Sequence, residues 1–416
     1  MKKPELSRWA GLGRRPWPPP KWKPEPAEAH ATVDGVGLES ELMLLLDGHP
    51  ADPAKVFGDP RAFLSPAAPH RIGTSYQLPT GGAIYFDSGV VEVVSPLIEF
   101  GPGAVTRTVR ALWEGILHAR ERMAHWEHST GHELRLAGFS THYNVSVRIR
   151  PQTEARSLDA LTALLIQILP LPVLFLAANR ASTGVGIRPR RDRMEVTVDF
   201  TPAPMLMAAA ATVAIAVIRA VAGWSRYDVE RADGLGLPRL RDFQAALHTS
   251  RRGLLARQSC FRIDPFRTDP DAEIHELMDG ERISARAFAR RVVATFAEPI
   301  RELADPLTLR LLDDVLAGRV RSLMELPHRP SEYEDVGRPR VWEEAFSEHN
   351  LPRSRFERVQ LLALNHSLFN AGGRRYEPVG MDGWTRVAFR RDDGQRVSLS
   401  LAYLAARLDR WRPGVF

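Results

Sequence analysis

The chain has 416 residues, 44% apolar and 25% charged, with a formal net charge of +6. These values describe a soluble globular protein of two or three domains, or one large domain with an appendage. The single cysteine, Cys260, excludes an intrachain disulfide, and nothing at the start reads as a secretory signal, so a reducing cytoplasm is the expected location.

Residues 1–30 include "RRPWPPPKWKPEPAEAH" and read as an extended arm, with Trp9, Trp17 and Trp22 able to anchor it. "VDGVGLESELMLLL" (33–46) reads as a strand, "RIGTSYQLPTGG" (71–82) as a loop, and "AIYFD" and "VVEVVSP" as two strands. Helical spacing after Gly-Pro-Gly predicts a long amphipathic helix over 103–126. "HELRLAGFSTHYNVSVRIR" (132–150) returns to alternation, and 158–180 is an apolar helix interrupted by Pro170 and Pro172. "GIRPRRDRMEVTVDF" (186–200) ends in another strand. The uncharged run 203–218 is shorter than the roughly 20 residues a membrane span needs, so a buried helix is expected and no membrane partner. Segment 238–325 reads as mostly charged amphipathic helix, 328–340 as a polar linker, and the end as a strand pair followed by a helix. No regular βαβ alternation appears. The expected class is α+β, a mainly antiparallel curved sheet with helices on one face plus a helical C-terminal region. The expected division is an arm (1–30), a catalytic domain (31–325) and a small C-terminal domain (326–416).

Lysine stands only at positions 2, 3, 21, 23 and 55, so nearly all of the 56 basic residues are arginine. A GC-rich genome accounts for this; bidentate contact with phosphate or carboxylate is the functional counterpart. The charge forms no stripe, so nucleic acid is not the expected partner, and an acidic small molecule such as ATP is an equal outlet for it.

The chemistry lies in acidic residues on apolar strands. Glu39 and Glu41 are two apart and share a face, flanked by Val36, Leu38, Leu42 and Leu44. Two half-buried carboxylates repel each other and lose hydration unless a cation cancels both effects. Asp87 and Glu92 sit on successive strands around the turn "SGV", and Glu195 lies in "RMEVTVDF" after Arg188, Arg190, Arg191 and Arg193. His142 and Asn144 also share a strand face. Together these describe a sheet face able to hold Mg2+ and a polyphosphate. P-loop, dinucleotide-binding and zinc spacings are absent.

"GLESEL" resembles the G-[IL]-E-[ST]-E opening strand of the Pup ligase and Pup deamidase (depupylase) family, within the glutamine synthetase and glutamate–cysteine ligase superfamily. "GGAIYFDSGVVEVVSP" is similar to that family's Y-x-D motif with Glu five residues on, "STHYNVSV" to its G-x-H-x-N strand, and "PVLFLAANRASTGVG" to its apolar helix running into a T-G-x-G turn. The motifs keep the family's order over roughly residues 33–200. Two departures stand out: about 30 residues precede the first motif, and Leu42 and Met43 replace the aromatic residue after E-x-E.

The resemblance implies that Glu39, Glu41 and Glu92 bind Mg2+ under the ATP phosphates, with Glu195 also assigned to the metal. It implies Asp87 beside the γ-phosphate as the base or as the nucleophile-activating carboxylate, and His142 and Asn144 as phosphate or metal contacts. Arg191 or Arg193 would close the nucleotide site. The implied activity is an ATP-dependent carboxylate–amine ligase working through an acyl phosphate. Its partners would be ATP, a carboxylate-bearing small protein, peptide or amino acid, and an amine acceptor. An amide or isopeptide hydrolase using nucleotide as cofactor, and a binding protein that keeps the fold, remain open at this point.

Overall fold

In the computed structural model, which describes residues 33–65, 68–72, 74–149, 153–248, 253–337 and 351–413, the arm expected over residues 1–30 lies outside the described residues. Among those described, twelve strands make one sheet. They are β1 (Gly35–Leu46), β2 (His49–Ala51), β3 (His70–Ile72), β4 (Ser75–Gln77), β5 (Ala83–Asp87), β6 (Val90–Val94), β7 (Ile98–Glu99), β8 (Leu134–Ser146), β9 (Val185–Pro189), β10 (Arg193–Asp199), β11 (Ala246–Leu247) and β12 (Leu254–Ala256). The order is β11-β12-β9-β10-β8-β1-β6-β5-β4-β3, with β2 and β7 also paired to β1. Each of these pairs is antiparallel, so the sheet matches the expected class.

Alternation assigns the two faces of β1. Val36, Leu38, Leu42 and Leu44 point into the core, while Glu39 and Glu41 point the other way. On β8 the inward set changes parity, from Tyr143 and Val145 to Leu136 and Leu134. A bulge makes the change: Glu41 pairs with Ser140 but Leu42 with Gly138, leaving Phe139 unpaired and 50% exposed. Gly138 has no alternative there, because a Cβ would sit 2.4 Å from the Phe200 ring. The β5–β6 hairpin turns on Ser88 and Gly89, both at positive φ (48° and 88°), as a two-residue hairpin loop requires.

Helices cover the apolar face. α1 (Pro53–Phe57) is short; α2 (Ala104–Thr130) runs 27 residues from Gly103 to Gly131, both left-handed, and packs on β1. The apolar segment after residue 158 breaks at Pro170, which cannot donate to the preceding turn, giving α3 (Leu158–Ile168) and α4 (Pro170–Ala177) bent by 56°. α5 (Pro204–Ala222) is long and apolar enough to cross a membrane, yet 83% of its most apolar window is buried, packed among α2 and α4. Its run of alanines permits that close approach.

The first half of segment 238–325 departs from the mostly helical structure expected there. After α6 (Val229–Gly234) the described residues through 283 form turns, β11, β12, a 3-10 turn at Gln258–Cys260 and the hairpin β13 (His275–Glu276) with β14 (Arg282–Ile283). Pro238, Gly253, Pro265, Pro270 and Gly280 interrupt helical periodicity there. Helix resumes only with α7 (Ala285–Thr295), α8 (Ala297–Leu303) and α9 (Pro306–Leu316). The expected linker is packed at its start: Tyr333 and Val336 are buried, and the Val336 N–H donates to the Leu136 carbonyl at 2.8 Å.

The C-terminal residues form a mainly β unit, not the expected strand pair and helix. α10 (Arg355–Leu364) precedes a five-stranded sheet of β15 (Leu368–Ala371), β16 (Arg374–Asp382), β17 (Arg386–Arg391), β18 (Arg396–Ser400) and β19 (Trp411–Arg412), with α11 (Leu401–Ala405) between the last two. It has its own core around Phe369, Phe389 and Trp411. A buried ion pair ties it to the larger unit: Arg107 of α2 donates to Glu357 of α10, which is fully buried and also caps its own helix through the Ser354 N–H. Glu114 also accepts from Arg107 at 3.1 Å, so Glu357→Ala leaves the guanidinium one of its two carboxylates and is expected to lower stability by about 1.5–3 kcal/mol in urea denaturation of the full chain. A midpoint equal to wild type would contradict this role for the pair.

Candidate metal centre

Neighbouring strands bring polar side chains to the sheet face opposite the helices. Glu41 lies across from Glu92 on one side and Ser140 on the other; Glu39 lies across from His142. Outward from β8, Thr197 faces His142, Glu195 faces Asn144, and Arg188 of β9 faces Glu195. On the other flank Tyr85 faces Glu92.

Ligand atoms of Glu39, Glu92 and His142 all lie within 4.8 Å of one another. His142 Nδ1 is 3.4 Å from Glu39 Oε2, and its Nε2 is 3.5 Å from Glu41 Oε1. Ser140 donates to Glu41 from the β8 bulge. Glu92 is only 3% exposed. Burial, followed by the charges of Glu39 and Glu41, pushes its carboxyl up to about 9. Burial also works against the Glu39 carboxylate, but hydrogen bonding and charge from His142, with charge from Arg193, hold it below the ordinary value. The cluster is therefore short of positive charge, and at neutral pH a proton on Glu92 supplies part of it. Three carboxylates beside an imidazole form an oxygen-rich set that fits a hard divalent cation such as Mg2+ or Mn2+.

Glu195 stands differently from the metal role expected for it. It is 1% exposed, and its two carboxylate oxygens receive Arg188 and, at 2.9 Å, Arg190 Nε. His142 Nδ1 is 3.9 Å from it. Its geometry is that of an anchor aiming two guanidiniums across the face. Arg193 Nε donates to Asn144 Oδ1 at 2.7 Å, placing two of the four expected nucleotide contacts together. Arg191 is exposed in the β9–β10 turn and joins neither group. Asp87 shares the face of Tyr85 by alternation, but sits exposed where β5 ends, accepting from Ser88 Oγ at 3.0 Å, outside the carboxylate cluster.

A cavity of about 380 Å³ runs from Glu39, Asn144 and Arg193 to Trp384, Arg386 and Ser400 of the C-terminal unit. Sequence reasoning had no signal for Trp384 or Arg386, which reach the site only through tertiary packing. It also passed over Ser140, which alternation with His142 would have found. His248 was missed as well. It packs over Gly186, where a Cβ would lie 2.3 Å from Thr197 Oγ1 and 2.7 Å from His248 Cδ2. Burial, then the charges of Arg188 and His142, push His248 down to about 4.

The Glu92 shift fixes a sign. Its carboxyl ionises near 4.5 when unperturbed and near 9 in the folded cluster, so between these values the folded chain holds a proton the unfolded chain has lost. The associated stabilisation is complete below about 4.5 and is lost as pH rises through about 9. In cation-free buffer Glu92→Gln should flatten this decline, raising the unfolding temperature relative to wild type more at pH 8.5 than at pH 5, with those two values chosen roughly to bracket the window. A difference independent of pH would contradict the assignment.

Comparison with protein-family models and with curated proteins gives no match. Among solved structures, a complex between the prokaryotic ubiquitin-like protein Pup and its ligase PafA aligns over 88% of this chain and 88% of that one, at 14% identity and a TM-score of 0.50. The Pup ligase PafA in complex with ADP aligns over 86% of this chain and 94% of that one, at 13% identity and a TM-score of 0.43. The first likeness, at so low an identity, is one of architecture: the chain has the fold of the Pup ligase.

Proposed function

We propose that the chain is an ATP- and Mg2+-dependent carboxylate–amine ligase. The observation that carries this reading is the convergence of Glu39, Glu41, Glu92 and His142 on one sheet face that opens into the cavity ending at Trp384. The shared fold supports it. The neighbour's complex with Pup supports a small protein or peptide as carboxylate donor. The scarcity of lysine on the chain suits an enzyme whose acceptor is an amine.

Glu39, Glu41 and Glu92, with His142, would hold the cation. Once bound, it would supply positive charge to phosphate oxygens. Arg193, fixed by Asn144, presents a guanidinium to the same cavity, and Arg188 and Arg190, aimed by Glu195, add two more beside it. These groups stabilise charge developing on a phosphoryl group as it passes to the donor carboxylate. Trp384 offers a flat apolar wall for the base. ADP leaves as the acyl phosphate forms; Asp87, exposed at the hairpin, then accepts a proton from the amine that attacks the acyl carbon and expels inorganic phosphate.

Glu39→Ala or Glu92→Ala should abolish Mg2+-dependent ATP binding in calorimetric titration while circular dichroism stays unchanged. Asp87→Asn should keep ATP binding and lower turnover by about 10²–10⁴-fold, the range for loss of a general base. Full activity in that variant removes Asp87 from the mechanism. ADP formed in proportion to product distinguishes a ligase from a hydrolase that holds nucleotide as a cofactor.

A further inference from the structure

Arg71 on β3 is 4% exposed, and no carboxylate balances it among the described residues. Its partners are neutral and lie at the long end of hydrogen-bonding range: the Gly81 carbonyl from Nη1 at 3.4 Å, the Gly383 carbonyl from Nε at 3.4 Å, and Gln360 Oε1 from Nη2 at 3.3 Å. The guanidinium carbon stands 4.2 Å from the centroid of the Trp384 ring. Burial pushes the group down to about 9, so it remains charged at neutral pH.

A buried cation with this environment is costly, and an apolar side chain would fill the same space without the desolvation penalty. The charge does something an apolar group cannot. It joins three segments distant in the chain: the turn before β5 at Gly81, α10 at Gln360, and the β16–β17 turn at Gly383 and Trp384. Gln360 extends the tie, its amide donating to the Leu97 carbonyl at 3.1 Å beside β7. Only a planar guanidinium can stack on the indole while its edge reaches carbonyls on both sides. Trp384 also lines the cavity that begins at Glu39. With Arg71 across one face of its ring, the indole is held as a fixed wall on the C-terminal side of the site.

We propose that Arg71 is a positioning residue for nucleotide recognition, pinning Trp384 as the surface on which the base stacks and thereby making the C-terminal unit part of the site. The proposal rests on the nucleotide reading given above. It separates two halves of the ligand: the base depends on Arg71 through Trp384, whereas the phosphates depend on the carboxylate cluster and Arg193.

The test compares ATP with inorganic tripolyphosphate, each titrated calorimetrically with Mg2+ into the full chain. Arg71→Met and Trp384→Leu should each weaken ATP binding by about tenfold or more, the order of one lost base–aromatic stack, and leave tripolyphosphate within about twofold of wild type. Arg71→Lys, which keeps the charge but not the planar fork, should show the same pattern more weakly, and it carries the test should the methionine variant fail to fold. Equal weakening of both ligands would assign Arg71 a purely structural role and overturn the proposal. Unchanged ATP binding in the Arg71 variants, or wild-type tripolyphosphate binding as tight as ATP, would also overturn it. Wild type binding neither ligand would overturn the nucleotide reading itself, and the proposal with it.

Discussion

Carboxylates that share a nearly dry surface repel one another, and Glu39, Glu41 and Glu92 do so on strands whose other face is the main hydrophobic core. Their strands are central, so the pairing that buries Leu38 and Leu42 on one side forces the glutamates together on the other. The sheet cannot form without assembling the cluster, and the cluster carries a charge deficit that a proton on Glu92 relieves only in part. A bound divalent cation, as proposed, would relieve it further, so that a cost accepted in folding would be recovered in binding, as expected where local stability is traded for function.

Several irregular features are arranged around that surface. The bulge at Phe139 changes the parity of β8, so that Ser140 and His142 both face the glutamates while Leu134 and Leu136 still reach the core. Gly186 leaves room for His248 and Thr197 to approach above β9. Glu195 spends its charge on Arg188 and Arg190, leaving those guanidiniums fixed beside the cluster. The C-terminal unit closes the far end of the cavity, held by the Arg107–Glu357 pair at one point and by Arg71 at another. The site is thus made of two separately cored units whose junction contains buried charge.

The extent to which this could be read from the chain follows from how local each signal is. Alternation in "GLESELMLLL" identifies β1 and assigns Glu39 and Glu41 to one face, and the same rule places His142 with Asn144. These readings need only the two-residue period. The role of Glu195 is less legible, because any of four nearby arginines could be its partner and only the packing of β9 against β10 selects Arg188 and Arg190. Residues 238–283 carry charged residues that mimic an amphipathic helical face, while the prolines and glycines that break helix there are widely spaced. Trp384 carried no local sign of its role, since it meets the rest of the cavity only after the C-terminal sheet docks on the larger unit.

If the carboxylate cluster holds a cation as proposed, Glu92 must give up its proton when the metal binds. The most direct measurement is calorimetric titration of the chelator-treated protein with Mn2+ or Mg2+ near neutral pH, in two buffers of different ionisation enthalpy, so that the protons released can be counted. Saturable binding with close to one proton released per ion is expected, a release that disappears in Glu92→Gln. No binding, or binding that releases no proton in the wild-type chain, would contradict it.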